Sequence, residues 1–473
     1  MTRELDVIGY WAERQPERPA LIAGGEVISY VRLQRWIGRC AARLRARGVG
    51  PGARLAVALP NGAPFVLAWL TALHAGVTLV PVNPELPPES TVQLLDIARP
   101  GAFLQEADSP LFAEGEEGEP GAPFESDTPA IGAIFFTSGT TGTPKGVCHA
   151  TRTLIDNVRA FNHMVGLGPE CRMLHVLPMF YMAGFLNTVL SPLVAGGAVV
   201  IAPRFTPQSA LAFWKPAMEG AINSAWLTPT MLAMLTRLYR ESAVARWCQE
   251  HITHLFVGTA PLPRAVRDGF AERFGIPPLE SYGMTEVLLT AAHLPGQTGH
   301  DGSAGRLLPG VELLTRDGEE ELRELWIATP YLMRGYWVSP ELPPLLEAPE
   351  GCFPTGDCGH VDQAGYLHIT GRRKDLIIRG GVNVSPRAVE EVLLLHPAVG
   401  EVCVKGVAHP VLGEEVAAWI VLKGGWEPEQ ARVGLLEFVR QRLVVDSAPT
   451  RWQFLAALPR NATGKVMKNA LTL

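Results

Sequence analysis

Residues 134–147 read Ile-Phe-Phe-Thr-Ser-Gly-Thr-Thr-Gly-Thr-Pro-Lys-Gly-Val, an apolar strand that runs straight into a loop of small and hydroxyl-bearing residues. Gly139, Gly142 and Gly146 let the backbone curl so that its N–H groups converge. Thr137, Ser138, Thr140, Thr141 and Thr143 add hydroxyl donors, and Lys145 adds a positive charge. Those are the parts needed to hold a polyphosphate. The spacing does not match GxxxxGK[ST], so this is not the usual nucleotide loop of ATPases and GTPases.

Three further groups could complete such a site. In Glu280-Ser281-Tyr282-Gly283-Met284-Thr285-Glu286, Tyr282 can stack on a base, Thr285 can donate to a phosphate, and Glu286 is a hard oxygen ligand suited to Mg²⁺. Taken alone, the same run is more often a strand-end turn with a solvated glutamate. Asp357, after Thr355-Gly356, is a turn carboxylate with the acceptor capacity for two vicinal hydroxyls. Lys465 lies eight residues from the C-terminus, where a lone lysine is ordinarily a solvated charge.

The elements that must position these groups alternate. Tyr30, Leu33, Trp36, Ile37, Cys40, Ala41 and Leu44 recur at helical spacing, followed by the apolar run Leu55–Leu59, a helical face through Phe65, Trp69 and Leu73, and the run Thr78–Val82. The rhythm resumes at Ala133–Phe136, Met173–Leu177, Ala198–Ile201 and Leu255–Gly258. Strands separated by helices imply parallel sheet with crossover helices, hence an α/β fold. After about Asp357 the texture changes, and a Gly- and Arg-rich stretch precedes a smaller α+β unit. Between the two stretches of alternation, Gln105–Asp127 carries eight acidic residues and no basic ones. It is expected to be a surface linker that buries no apolar area.

A length of 473 residues suggests about three domains, with a core that needs no disulfide or metal staple. Seven scattered cysteines without a CxxC pair read as reduced thiols, and the 12 histidines form no ligand-spaced group. The net charge of −6 and the lack of basic clusters interleaved with aromatics argue against a nucleic-acid binder. Removing the acidic linker leaves a slightly basic body, however, which suits anionic small molecules. With charges in every turn of the N-terminus and no run of about 18 uncharged apolar residues, the chain is expected to be cytoplasmic, without a membrane span.

The sequence resembles the adenylate-forming superfamily of acyl-CoA synthetases, stand-alone acyl-adenylate ligases and luciferases. The loop Thr137–Val147 is similar to its signature. Val82-Asn83-Pro84, Tyr282–Glu286, Thr355-Gly356-Asp357, Gly371-Arg372-Arg373-Lys374-Asp375 and Gly464-Lys465 follow in the family's order. The resemblance implies a large N-terminal region of parallel-type sheets with flanking helices plus a β-rich section, residues 1–373. A small mobile C-terminal domain, 374–473, would carry the catalytic lysine. It implies that a carboxylate attacks the α-phosphate of ATP to give acyl-AMP, and that a thiol then takes the acyl group.

By the same resemblance, Gly258-Thr259-Ala260-Pro261 walls the adenine opposite Tyr282, with Glu280, Ser281 and Gly283 beside it. Asp357 accepts from the ribose hydroxyls with Arg372 in support. Lys465 contacts the carboxylate and α-phosphate, Lys374 is the hinge, and Gly380 and Gly381 line the pantetheine tunnel. Phe180, Tyr181, Met182, Gly184 and Met284 line the acyl pocket. Amino-acid-activating relatives usually carry an acidic residue in the segment Pro178–Phe185. None is present, which disfavours an ammonium-bearing acid and favours a neutral apolar or aryl one. Tyr181 stands where many relatives have histidine, and Thr151, a possible helix N-cap, where a histidine usually follows the phosphate loop. CoA is the expected acceptor, with a carrier-protein phosphopantetheine as the alternative; Arg379, Arg387 and Lys405 are available to either. A non-catalytic nucleotide-binding paralogue would lack at least one of Lys465, Glu286, Thr285 and Asp357, and all four are present.

Overall fold

The apolar runs become short strands and the amphipathic stretches between them become crossover helices. The computed structural model describes residues 5–107, 109–113, 131–137, 144–297, 302–316, 323–341, 344–346, 348–461 and 465–473. Tyr30–Ala46 is helical because its apolar side chains share one face, burying Tyr30, Leu33, Ile37, Cys40, Ala41 and Leu44. Ala63–Ala75 is apolar on nearly every face and is correspondingly buried, ending at Gly76 in the left-handed conformation.

Two mixed sheets form the body of the large unit. In the nine-stranded sheet, Pro19–Ala23, Ala198–Ile201, Arg172–His175, Ser224–Leu227, His254–Val257 and Leu279–Met284 run parallel, with antiparallel strands at both edges. In the six-stranded sheet, Ala102–Leu104, Arg54–Val57, Thr78–Pro81 and Ile131–Thr137 are parallel; Lys145–Ala150 and Gly335–Trp337 then continue it antiparallel. A four-stranded antiparallel sheet, Glu312–Arg316, Glu324–Ala328, Cys352–Val361 and Leu367–Arg372, is the β-rich section. The turn Arg373–Asp375 then leads into a separate sheet around Val399–His409 and Gly413–Leu422, backed by helices Pro386–Leu394 and Pro428–Arg440. Its core, from Ile377 to Ala448, is distinct from the main core of Val7 to Phe353.

This architecture matches the α/β expectation, with two local corrections. Leu111 and Phe112, inside the acidic segment, are buried at 0% and 5% exposure. The Phe112 carbonyl accepts from Trp36 Nε1 at 2.9 Å, so this part of the segment does bury apolar area. Charge count misled because the two apolar residues sit before the Glu/Gly run; residues 114–130 lie outside the described residues. Thr151 is the first residue of helix Thr151–Val165, whose cap position is Ala150 with no side-chain cap bond. The chain enters that helix directly from a strand, so the hydroxyl lies one position too late to cap.

All seven cysteines are free and buried. Burial pushes the thiols of Cys148, Cys171, Cys248 and Cys403 up to about 12. Among the described residues no helix is long and apolar enough to cross a membrane.

Two fully buried histidines brace the large unit. Asn61 Nδ2 donates to His175 Nε2 at 3.2 Å, so the ring proton sits on Nδ1 and is donated to Thr188 Oγ1 at 2.6 Å. His149 Nε2 donates to the Thr285 carbonyl at 2.6 Å. Burial lowers both rings, His175 to about 3 and His149 to about 4, from an ordinary 6.5. Between those values and 6.5 the unfolded chain binds protons that the folded chain does not, so stability falls as pH drops below about 6.5. The His149 shift alone corresponds to roughly 3 kcal/mol by pH 4. Thermal unfolding should move to lower temperature between pH 7 and pH 5, and His149→Gln should flatten that slope; a melting temperature constant over this range would contradict the assignment.

Candidate active site

The parallel strands Ser224–Leu227, His254–Val257 and Leu279–Met284 end at one edge of the nine-stranded sheet, and Thr228, Gly258–Pro261 and Thr285-Glu286 follow them directly. Carboxyl ends of parallel strands are where α/β sheets place ligands. Across from them, the register of the antiparallel sheet sets Asp357 opposite Arg372.

The carboxylate of Asp357 joins these two sheets. Tyr282 donates its hydroxyl to Asp357 Oδ2 at 2.7 Å, and Arg372 Nε lies 2.9 Å from Oδ1. Asp357 is 5% exposed and its N–H donates to Thr355 Oγ1, which in turn donates to the Leu325 carbonyl. The turn is held from behind by Glu324: Oε1 accepts from Gly356 N at 3.2 Å and Oε2 pairs with Arg373 at 2.7 Å. One buried acid thereby fixes both the Tyr282 ring plane and the Arg372 guanidinium. Burial, with Asp357 alongside, holds the Tyr282 phenol well above its ordinary value, so it remains a donor.

The Tyr282–Glu286 hairpin is tight. A register shift falls between Tyr282 and Gly283, and a Cβ at Gly283 would stand 2.3 Å from the Leu288 carbonyl. Bulges of this kind re-aim side chains. Leu288, with φ at 59°, and Thr259, with φ at 71°, both adopt left-handed backbone, a conformation that costs non-glycine residues and concentrates at functional sites. Thr285 is buried, its carbonyl tethered by His149. Glu286 Oε1 accepts from the Tyr336 hydroxyl at 3.2 Å, and the Lys145 ammonium lies 4.7 Å from the centre of the Tyr336 ring. Tyr336 thus links the end of the phosphate loop to Glu286. Burial pushes the Glu286 carboxyl above its ordinary value, a condition that a bound cation would relieve.

Thr137 and Lys145, the loop's flanks, are paired across the sheet, while Ser138, Gly139, Thr140, Thr141 and Gly142 lie outside the described residues. Gly258 is buried against Ser281: a Cβ there would stand 2.7 Å from Ser281 Oγ. Thr259, Ala260 and Pro261 are exposed at the rim, and Glu280 is half-buried. Of the residues expected to line an acyl pocket, Met182 and Gly184 are buried, and Phe180, Tyr181 and Met284 are half-buried. A Cβ at Gly184 would stand 1.9 Å from the Pro178 carbonyl, so this glycine serves a close backbone approach. Burial raises the Tyr181 phenol, with Glu286 acting in the same sense and Arg372 against it.

Lys465 belongs to the other unit, near the end of its tail. As a residue it is exposed, yet its ammonium is pushed below the ordinary lysine value, first by burial and next by Arg372, while Asp357 opposes. Lys465 and Asn461 exchange hydrogen bonds at 2.9 Å, N–H of Asn461 to the Lys465 carbonyl and N–H of Lys465 to Asn461 Oδ1. Arg460 pairs with Glu401 at 2.6 Å and donates to Thr230 Oγ1 at 3.2 Å, docking the tail on helix Pro229–Leu238. Lys374 is exposed in its short turn, and Gly380 and Gly381, both at positive φ, form the two-residue hairpin between Ile377–Arg379 and Val382–Val384. Each proposed basic-patch residue is bonded internally: Arg379 to Asp446, Arg387 to Glu391, and Lys405 to the carbonyls of Lys468 and Leu471.

Sequence reasoning missed Tyr336, His149, Glu324 and Arg460. The first three act on residues distant in sequence, Glu324 across its own sheet and Tyr336 and His149 on the turn after Leu279–Met284 in another, so no spacing could have found them. For Arg460, its place in Pro459-Arg460-Asn461, just before the lysine, was a usable signal.

The group of side chains around Asp357 thus lies in a large unit that is followed along the chain by a smaller one carrying Lys465. The chain belongs to the AMP-binding enzyme family, whose sequence model matches residues 9–337, followed by the AMP-binding enzyme C-terminal domain at residues 388–465. It is 31% identical to a sulfoacetate–CoA ligase of Cupriavidus necator, over 98% of this chain and 96% of that one. To a 2-succinylbenzoate–CoA ligase of Bacillus licheniformis it is 30% identical, over 97% and 98%. The solved o-succinylbenzoate CoA synthetase of Bacillus subtilis, in complex with its acyl-adenylate intermediate, superposes with a TM-score of 0.84 at 28% identity over 98% and 97% of the two chains. The protein is therefore an AMP-forming acid–thiol ligase of the adenylate-forming acyl-CoA synthetase superfamily, using ATP and CoA.

Proposed function

We propose that the protein converts a neutral, largely apolar or aryl carboxylic acid into its acyl-adenylate and then into its CoA thioester. The observation that carries this reading is the buried Asp357 carboxylate held between the Tyr282 hydroxyl and Arg372, with the tail that bears Lys465 docked on helix Pro229–Leu238 through Arg460. Asp357 and Arg372 hold the ribose, the Tyr282 ring stacks on adenine opposite Gly258–Pro261, and the Thr137–Gly146 loop takes the phosphates. The acid's carboxylate oxygen bonds to the α-phosphorus as pyrophosphate leaves. Lys465 offsets the repulsion between the two anions, and Thr285 donates to the α-phosphate.

Glu286 fits a magnesium ion. Among the described residues no three His, Cys, Asp or Glu side chains cluster to cage a metal, and Mg²⁺ ordinarily binds through one or two carboxylates plus substrate phosphates. Such an ion would neutralise and orient the leaving phosphates. After adenylation a turn about Lys374 withdraws Lys465 and brings the Gly380-Gly381 hairpin to the site. The CoA sulfur then attacks the acyl carbonyl and AMP departs.

Neutrality of the acid rests on the pocket segments. Pro178–Phe185, Thr228–Leu232 and Val287–Leu289 contain no Lys, Arg, His, Asp or Glu, and Arg460, which reaches Thr230, is neutralised by Glu401. A second charge on the acid would be desolvated there at a cost of several kcal/mol, roughly. The test is acid-dependent ATP–pyrophosphate exchange across neutral aliphatic, aryl, dicarboxylic and sulfonated acids, followed by thioester formation with CoA and, separately, with a holo-carrier protein. Exchange with neutral acids and transfer to CoA are expected. Exchange confined to acids with a second charge would overturn the substrate class, and transfer to the carrier protein alone would overturn the acceptor.

A further inference from the structure

The C-terminal tail is clamped to the small unit's sheet at several points. Leu471 is buried with Cys403, Ala417, Trp419 and Leu458. Lys405 Nζ donates to the Lys468 carbonyl at 3.1 Å, Trp419 Nε1 donates to the Thr472 carbonyl at 3.2 Å, and Met467 N donates to the Pro459 carbonyl at 2.8 Å. One further bond runs elsewhere. Lys468 Nζ lies 2.9 Å from Asp375 Oδ2, joining the tail to the turn Arg373–Asp375, and both side chains are about two-thirds buried at 33% and 27% exposure.

The position of this pair is what gives it a function. Asp375 immediately follows Lys374, the proposed pivot, and Lys468 is three residues beyond Lys465. By chain, Asp375 and Lys468 are 93 residues apart; through the ion pair they are one contact apart. Lys468 also faces Glu390 of helix Pro386–Leu394, whose Oε1 accepts from Val404 N at 2.7 Å and whose neighbours include Arg387 and Asp375. Burial pushes the Glu390 carboxyl up to about 7 while Lys468 draws it down; burial acts to lower the Lys468 ammonium, but Glu390 and Asp375 together outweigh it and raise it.

We propose that Asp375 and Lys468 are positioning residues: their ion pair makes the pivot and the lysine-bearing tail one rigid lever and so sets where Lys465 lands for adenylation. Both partners lie on the moving side of the pivot, so the pair persists through the domain turn. It matters only in the half-reaction that uses Lys465. A catalytic group misplaced by about 1 Å can lose about 10²-fold in rate, so a slack lever is costly even with Lys465 intact.

This inference rests on the activity proposed above, and its test separates the two. ATP–pyrophosphate exchange and single-turnover thioester formation from synthetic acyl-AMP and CoA are measured for the full-length protein and for Asp375→Asn, Lys468→Met, Lys468→Arg and Glu390→Gln. Asp375→Asn and Lys468→Met should slow exchange roughly 10- to 100-fold while thioester formation changes less than about 3-fold. Lys468→Arg, which keeps the charge and reach, should restore most of the exchange. Glu390→Gln, which removes the buried acid and leaves the pair, should keep it. Equal loss of both half-reactions in Lys468→Met would mean a merely structural role, and unchanged exchange would mean no role; either overturns the inference. A wild-type protein that exchanges with no acid overturns the proposed activity and this inference together.

Discussion

Lys465→Ala should slow acyl-adenylate formation by about 10²- to 10³-fold while leaving thioester formation from supplied acyl-AMP within about 3-fold of wild type. The two halves diverge because only the first brings two anions together. An acid carboxylate approaching the α-phosphate needs a positive charge between them, whereas a thiol approaching a carbonyl does not. Lys465 comes from a different unit than the Asp357, Tyr282 and Arg372 clamp, so its loss leaves nucleotide binding largely intact and appears mainly in kcat. Its ammonium is held below the ordinary lysine value by burial and by Arg372. The protonated form is the active one, so adenylation should fail on the alkaline side at a lower pH than an exposed lysine would give. Lys465→Arg should move that limb upward, since a guanidinium does not titrate there. Equal loss in both half-reactions would reject the assignment.

The second large effect is expected at Asp357. Asp357→Asn keeps the shape but removes the charge that holds Arg372 Nε at 2.9 Å and one acceptor oxygen from the set facing Tyr282 and the sugar. Hydrogen bonds to a charged group contribute about 1.5–3 kcal/mol each, so losing the equivalent of two predicts a fall in kcat/KM for ATP of roughly 10²- to 10⁴-fold, mostly in KM. Tyr282→Phe removes only one donor to the same carboxylate and should cost less. Steady-state kinetics with ATP varied at saturating acid separate these cases. A change in KM below about 3-fold for Asp357→Asn would mean that the carboxylate only braces its turn.

The course of the chain was legible wherever burial is one-sided or complete. The run Ala198–Ile201 is a strand with those same ends, and the others shift by one or two residues, because an apolar run of that length between helices has no alternative in a layered α/β body. Leu111 and Phe112 were misjudged because composition averages over a window, while burial is decided residue by residue. In the site, Asp357, Tyr282 and Arg372 could be named from motifs, but that they meet at one buried carboxylate depends on the register between Cys352–Val361 and Leu367–Arg372. Tyr336, Glu324 and His149 were invisible because each meets a partner far along the chain, Glu324 across its own sheet and the other two on a turn of a different sheet. Arg379, Arg387 and Lys405 show the converse: charges that look available in one dimension are consumed by bonds within the fold.

The seven buried thiols have a chemical consequence for an enzyme that makes a mixed anhydride. An acyl-adenylate is an electrophile that any accessible thiolate would intercept, and self-acylation would end turnover. With the thiols of Cys148, Cys171, Cys248 and Cys403 pushed up to about 12, only about one in 10⁵ of each is ionised at neutral pH. Cys148, in the strand that closes the phosphate loop, is also sealed from solvent. The protein thereby keeps its own sulfur in a form that does not compete with the sulfur of the incoming cosubstrate, and chemoselectivity is set by solvation as much as by shape.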